Sequence, residues 1–253
     1  MSTRLERERE FHDRTFAANA RAPVAKFYEI ERYEQEFYRA LLARYGAGGE
    51  ALEYGCGPAS AARLLARAGA SVTGIDLSEV AIERAADEAR REGVAARCDF
   101  RVMNAERLEF EESSFDLICG TGILHHLDLD VAYPEIARTL RPTGHAVFVE
   151  PLGHNPAINL YRRRTPELRT DDEHPLLMGD LERARAHFGR VELRHFHLLT
   201  LLAVPVRRMP GFDALLGALN AADRALFRIR SLRKHAWTVV MTLSMPAPGS
   251  PPE

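Results

Sequence analysis

The chain has 253 residues, of which 46% are hydrophobic and 28% charged, which suits a globular protein with one large domain or one domain plus an excursion. Its formal net charge of −2 offers no overall basic field to nucleic acid or to an anionic membrane. Cys56, Cys98 and Cys119 stand at unrelated spacings with no His or Cys at zinc-ligand distance, which argues against a disulfide framework or a metal and for buried thiols.

The charged start, MSTRLEREREFHDR, lacks the apolar stretch of a signal peptide, and no window reaches 18 apolar residues. The expectation is a cytoplasmic protein without an integral membrane segment. Residues 4 to 45 read as helical. Phe27, Tyr28, Ile30, Tyr33, Phe37, Tyr38, Leu41 and Leu42 recur at intervals of three and four, one aromatic stripe ended by Gly46, Gly48 and Gly49. Strict alternation follows. Strands are predicted at 51–54, 71–75, 99–103, 115–119 and 145–150, and helices at 59–68, 78–91 and 134–140, with Ser78 as a cap and Gly69 and Gly93 as stops. Units of about 25 residues mean βαβ crossovers, hence a doubly wound α/β domain with a parallel sheet covered on both faces. Ligands on such sheets lie beyond the carboxyl ends of the strands.

From Pro151 the regularity lapses. "PLGHNPAINLYRRRTPELRTDDEHPLL" reads as an insertion over the sheet edge. A helix at 181–187, a strand at 191–200, an amphipathic helix at 212–229 and a last strand at 236–245 follow. The resulting division is an N-terminal helical lid (1–46), a main domain (47–245) with substrate-cap segments at 151–188 and 200–235, and a disordered tail (246–253).

The stretch "LEYGCGPAS" carries the chemistry. After a strand, Gly55 and Gly57 permit a tight turn and let a ligand approach bare backbone. Asp76, about 20 residues on, can accept both hydroxyls of a ribose. The third glycine of a dinucleotide fingerprint is missing, and Glu53 stands two residues before the first. A carboxylate there repels a pyrophosphate but suits an ammonium and a sulfonium. The nucleotide pattern therefore points to S-adenosylmethionine in preference to a dinucleotide.

The same stretch resembles the first motif of the class I S-adenosylmethionine-dependent methyltransferases, in their small-molecule branch (type 11 or 25). "VTGIDLSEVAIERA" resembles the ribose-binding strand and helix, and "FRVMNAERLEF" the adenine-binding segment. "FDLICGTGILHHL" resembles the fourth-strand motif, and "LRPTGHAVFVEP" the turn into the fifth strand. The resemblance implies a Rossmann-like seven-stranded sheet with an antiparallel last strand. It places Glu53, Gly55 and Gly57 around the methionine part of the cofactor, Asp76 on the ribose and Leu77 against adenine. Asn104 stands where the family usually has Asp, facing the adenine amino group, with the Ala105 amide beside it. Gly120 lines the cleft, and Tyr28 closes over the carboxylate end.

His125 and His126, after the fourth strand, are the candidate bases, since a His there sits near the methyl group in the family. His154, Asn155 and Tyr161 are expected to face the acceptor. Asp171, Asp172, Glu173 and His174 are adjacent and cannot readily converge on one ion, so no metal is predicted. Apolar stretches after residue 195 favour a hydrophobic or aromatic small-molecule acceptor, methylated on oxygen first, with carbon and nitrogen as the other acceptor atoms. S-adenosylhomocysteine is the implied product. The alternatives are a cyclase or decarboxylase that keeps the cofactor, and a non-catalytic cofactor sensor. Nucleic acid is disfavoured, because "CGTGILHH" lacks the Asn or Asp, prolines and aromatic of the amino-directed enzymes. Transient membrane contact through the 212–229 helix is a further reading, weakened by Asp213 and Asp223. A monomer or a homodimer is expected.

Overall fold

A computed structural model describes residues 4–18, 25–57, 61–166 and 174–247. Among the described residues seven strands form one sheet: β1 (Glu50–Tyr54), β2 (Ser71–Asp76), β3 (Cys98–Val102), β4 (Phe115–Thr121), β5 (Leu140–Pro151), β6 (Phe188–Phe196) and β7 (Thr238–Pro246). Their order is β3-β2-β1-β4-β5-β7-β6. Strands β1 to β5 pair in parallel, and β7 runs antiparallel to both β5 and β6. The doubly wound, seven-stranded architecture with its antiparallel last strand is therefore the observed one.

The helices are α1 (Arg4–Ala18), α2 (Ala25–Tyr28), α3 (Arg32–Gly46), α4 (Ala61–Arg67), α5 (Glu79–Arg91), α6 (Leu129–Thr139), α7 (Pro156–Arg164), α8 (Met178–Arg183), α9 (Phe212–Leu226) and α10 (Arg230–Arg233). None among the described residues is long and apolar enough to cross a membrane. Alternation along the strands makes two cores. Ala51, Leu117, Cys119 and Val147 pack on one face with Tyr38 and Leu42 of α3 and Leu65 of α4. Leu52, Tyr54, Ile118 and Phe148 pack on the other with Tyr133 and Ile136 of α6. The strand order reverses between β2 and β4, with β1 between them, and Tyr54 stands level with Ile75 and Gly120. That switch point positions the site.

The structure revises several element boundaries. Within the expected N-terminal helix the described residues form α1, α2 and α3, with a turn over residues 29–31 between α2 and α3, while residues 19–24 lie outside the described residues. Helix α6 starts well before Pro134, because the Asp128 side chain accepts from the Asp130 amide at 3.0 Å and caps it. Helix α7 lies in the stretch expected to be irregular; Asn155 caps it and Pro156 opens it. Strand β6 ends at Phe196, and a 3-10 helix over Thr200–Val206 takes the place of the expected strand end. Strand β7 reaches Pro246, and Ala247 donates to the His187 carbonyl at 2.8 Å. The rest of the expected tail, like Asp171, Asp172 and Glu173, lies outside the described residues.

Candidate active site

Beyond Tyr54 the chain turns through Gly55 (φ 58°) and Gly57 (φ 49°), both in the left-handed region. A β-carbon on Gly55 would also come within 2.9 Å of the Ile123 side chain. Cys56 donates to the Ile75 carbonyl at 2.9 Å, which joins the bend to β2. A β-carbon on Gly120, at the end of β4, would stand 3.0 Å from the Tyr54 carbonyl oxygen.

Two carboxylates hold this bend. Asp76 accepts from the Gly57 amide at 3.0 Å and from the Ser78 amide at 2.9 Å. Glu53 is buried and accepts from the Ala61 and Ala62 amides at 2.7 and 2.9 Å, at the start of α4, where the helix dipole favours a negative charge. Each oxygen retains acceptor capacity beyond these bonds. Asn104 accepts from the Glu106 amide at 2.9 Å in an Asx turn, Ala105 is buried beside it, and Leu77 is half-buried. Tyr28 stands 48% exposed. Its neighbour Phe27 turns inward, with its ring centroid 5.3 Å from that of Tyr161 and 5.1 Å from that of Trp237.

Helix α1 reaches residues that follow β2, β3 and β4. Its Arg4 donates to the Glu106 carboxylate and, at 2.9 Å, to the His126 carbonyl; Asp13 accepts from the Ser78 hydroxyl. Glu8 is buried 3.2 Å from His126 Nδ1, so His126 turns toward α1.

His125 turns the other way. It lies in a 3-10 turn, Leu124–His126, just after β4, and its Nδ1 stands 2.8 Å from Oε2 of Glu150. Glu150, near the end of β5, has no exposed surface, and its other oxygen accepts from the Ile123 and Leu124 amides at 2.9 and 2.8 Å. A carboxylate only accepts, so a neutral His125 carries its proton on Nδ1 and keeps Nε2 as the basic nitrogen. The sequence reading missed Glu150. The available signal was an acid in the final apolar positions of β5, "VFVEP".

The acceptor-side residues divide. Asn155 is buried, accepts from the Ala157 and Ile158 amides at 3.0 and 3.1 Å, and donates to the His235 carbonyl at 2.7 Å. His154 accepts from the Met178 amide at 3.4 Å. Both side chains engage backbone at the ends of helices, whereas Tyr161 joins the Phe27–Trp237 cluster. Behind that cluster runs a second polar network that the sequence did not announce. Buried Asp223 of α9 accepts from the Leu198, Leu199 and Thr200 amides at 3.1, 2.7 and 3.2 Å, and from the Thr200 hydroxyl at 3.1 Å. His197 reaches from Thr200 (3.1 Å) to Glu34 (3.5 Å), and Thr238 donates to Glu34. Burial, with the charge of Glu34, pushes the nearby Glu31 carboxyl up to about 7, against a smaller downward pull from His197.

The sheet order, the glycine bend at the switch point and the acids closing β1 and β2 define a nucleotide-binding α/β domain of the methyltransferase kind. Residues 52–148 match the family model for a methyltransferase domain, type 11. This segment is a class I S-adenosylmethionine-dependent methyltransferase domain of the small-molecule type. Methyltransferase GfsG of Streptomyces halstedii is 37% identical over 116 residues, which cover 45% of this chain and 41% of that protein. The 27-O-demethylrifamycin SV methyltransferase of Amycolatopsis mediterranei is 38% identical over 100 residues, covering 39% of this chain and 37% of that protein. The chain thus spans less than half the length of these two relatives. Geranyl diphosphate C-methyltransferase from Streptomyces coelicolor A3(2), solved with S-adenosyl-L-homocysteine, shares the fold with a TM-score of 0.61. It is 18% identical, over 85% of this chain and 80% of that one.

Proposed function

We propose that the protein transfers a methyl group from S-adenosylmethionine to a small hydrophobic or aromatic acceptor, an oxygen before a carbon or nitrogen, with His125 as general base. The observation that carries this reading is the 2.8 Å bond between His125 and the fully buried Glu150, one strand away from the glycine bend. It supports a base that is oriented and held in one tautomer where the fourth strand opens onto the cleft.

The bend fits the cofactor. Gly55, Gly57 and Gly120 leave backbone without β-carbons, and Asp76 presents a carboxylate at the end of β2, where a ribose would lie. Glu53, through α4, fixes the bend on the methionine side; Leu77, Asn104 and Ala105 line the adenine side, and Tyr28 and α1 serve as the lid. The bound cofactor supplies a methyl group on a sulfonium. Alignment of an acceptor in line with it accounts for about 7–11 kcal/mol of the barrier. His125 Nε2 would take the proton of the acceptor hydroxyl as that oxygen is methylated. That proton transfer contributes about 10²–10⁴-fold. Tyr161 borders the acceptor, and His154 and Asn155 shape the loop that presents it.

Calorimetry with S-adenosylmethionine and with NADH, followed by a radiolabelled methyl assay on phenols and terpenoid alcohols, tests the proposal. Cofactor binding with transfer to a hydroxyl is the expected result. Tight NADH binding without a response to the sulfonium ends it, and tight sulfonium binding with no transfer to any acceptor favours a sensor or a cyclase.

A further inference from the structure

Helix α9 turns Leu216 and Asp223 inward and leaves Ala214, Ala218, Ala221 and Ala225 exposed. Exposed Arg224 and Arg228 flank that stripe and, with Ala221 and Ala225, line a groove of about 280 Å³. Arg194 of β6 lies close enough to Arg224 that burial and the Arg224 charge together lower its pKa. Among the described residues no carboxylate pairs with Arg194, Arg224 or Arg228. Like charges held together without a counter-charge are favoured once an anion stands between them.

The two acids that would dilute this face do not do so. Asp223 is buried and taken up by the amides of residues 198 to 200, and Asp213 is paired with Arg32 at 2.6 Å. Residues 200 to 235 hold seven basic side chains against these two acids, in a chain whose formal net charge is −2. The same segment exposes large aliphatic side chains: Leu202 (67%), Met209 (59%), Leu215 (41%) and Ile229 (52%). No aromatic ring is among them, so the face offers no stacking platform for nucleic-acid bases. Leu215 belongs to α9, Ile229 follows it, and Leu202 and Met209 precede it, so the segment mixes exposed aliphatic side chains with arginines, as lipid-interface segments do.

We propose that this face of the cap docks on an anionic phospholipid surface, with a headgroup phosphate seated between Arg224 and Arg228 and the exposed aliphatic side chains entering the acyl boundary. The test is co-sedimentation of the full chain with phosphatidylcholine vesicles, with and without an equimolar share of phosphatidylglycerol. The anionic vesicles pellet the protein, neutral vesicles do not, and salt at several times physiological strength releases it. The double variant Arg224→Ala/Arg228→Ala partitions about tenfold or more less strongly, with its melting temperature and cofactor affinity unchanged. Equal binding to neutral vesicles, no binding at low salt, or an unaffected variant overturns the proposal. Inorganic phosphate that perturbs the Arg224 and Arg228 resonances without any vesicle binding overturns the lipid assignment. So does a dimer in light scattering that the double variant dissolves, because a second copy then covers the face.

Discussion

Around β1 and β2, the carboxylates of Glu53 and Asp76 bind backbone amides and hold a bend that turns at two glycines. Around β5, β6 and β7, Glu150 and Asp223 bind side chains as well as amides, and Glu34 takes a threonine hydroxyl beside a histidine. The first arrangement suits a ligand that many proteins share, since it asks only for glycines at two positions and acids at the ends of two adjacent strands. The second depends on particular side chains far apart in the chain, and it is where an acceptor and its chemistry would be specified. The family match ends at residue 148, close to this division.

The largest effect should fall where the halves meet. His125→Ala should lower kcat by about 10²–10⁴-fold while leaving cofactor affinity unchanged, and His126→Ala should cost less than about tenfold. Steady-state kinetics on an identified acceptor check both. If the two variants behave alike, Glu150 does not distinguish the pair. Asp223→Ala should come next, destabilising the fold by about 3 kcal/mol, because three amides of residues 198 to 200 lose their acceptor. Urea unfolding measures it. Asp76→Ala should instead weaken S-adenosylmethionine binding by about 2 kcal/mol, roughly thirtyfold, with a smaller loss of stability than Asp223→Ala, since two amides and not three lose their acceptor. Should Asp76→Ala unfold the protein as readily as Asp223→Ala, the contrast between a ligand-serving and a fold-serving half fails.

The smallest effect is tied to pH. The folded-state pKa of Glu31 is raised from 4.5 to about 7, so its contribution to stability is complete below pH 4.5 and is lost as pH rises through about 7. At pH 8, Glu31→Gln should therefore be more stable than the parent by about 1–2 kcal/mol, and the two should converge near pH 4.5. Paired melts across that range test it.

The cofactor half was legible because its signals are local. A strand of alternating burial, two glycines at positive φ and a cap such as Ser78 are each decided by a few neighbouring residues. Asp76 could be placed by spacing alone. The other half was less so. Asn155 read as an acceptor contact because it follows the fifth strand, yet "NP" before an apolar run is also a helix start, and its side chain makes the capping bonds of α7. Glu150 and His125 are 25 residues apart, and Glu34 and Thr238 are 204 apart. No local pattern reports such pairs. They exist only once β4 lies beside β5 and α3 reaches the start of β7.

The position of β7 between β5 and β6 has a consequence for how the molecule is made. Both of its neighbours precede it in the chain, so during translation β5 presents an unpaired edge, and β6 has no partner, until residues 238–246 have left the ribosome. The Glu34–Thr238 contact waits for the same event. Nascent chains stalled before residue 238 should therefore expose an edge open to mispairing and should be the form on which chaperones act most strongly.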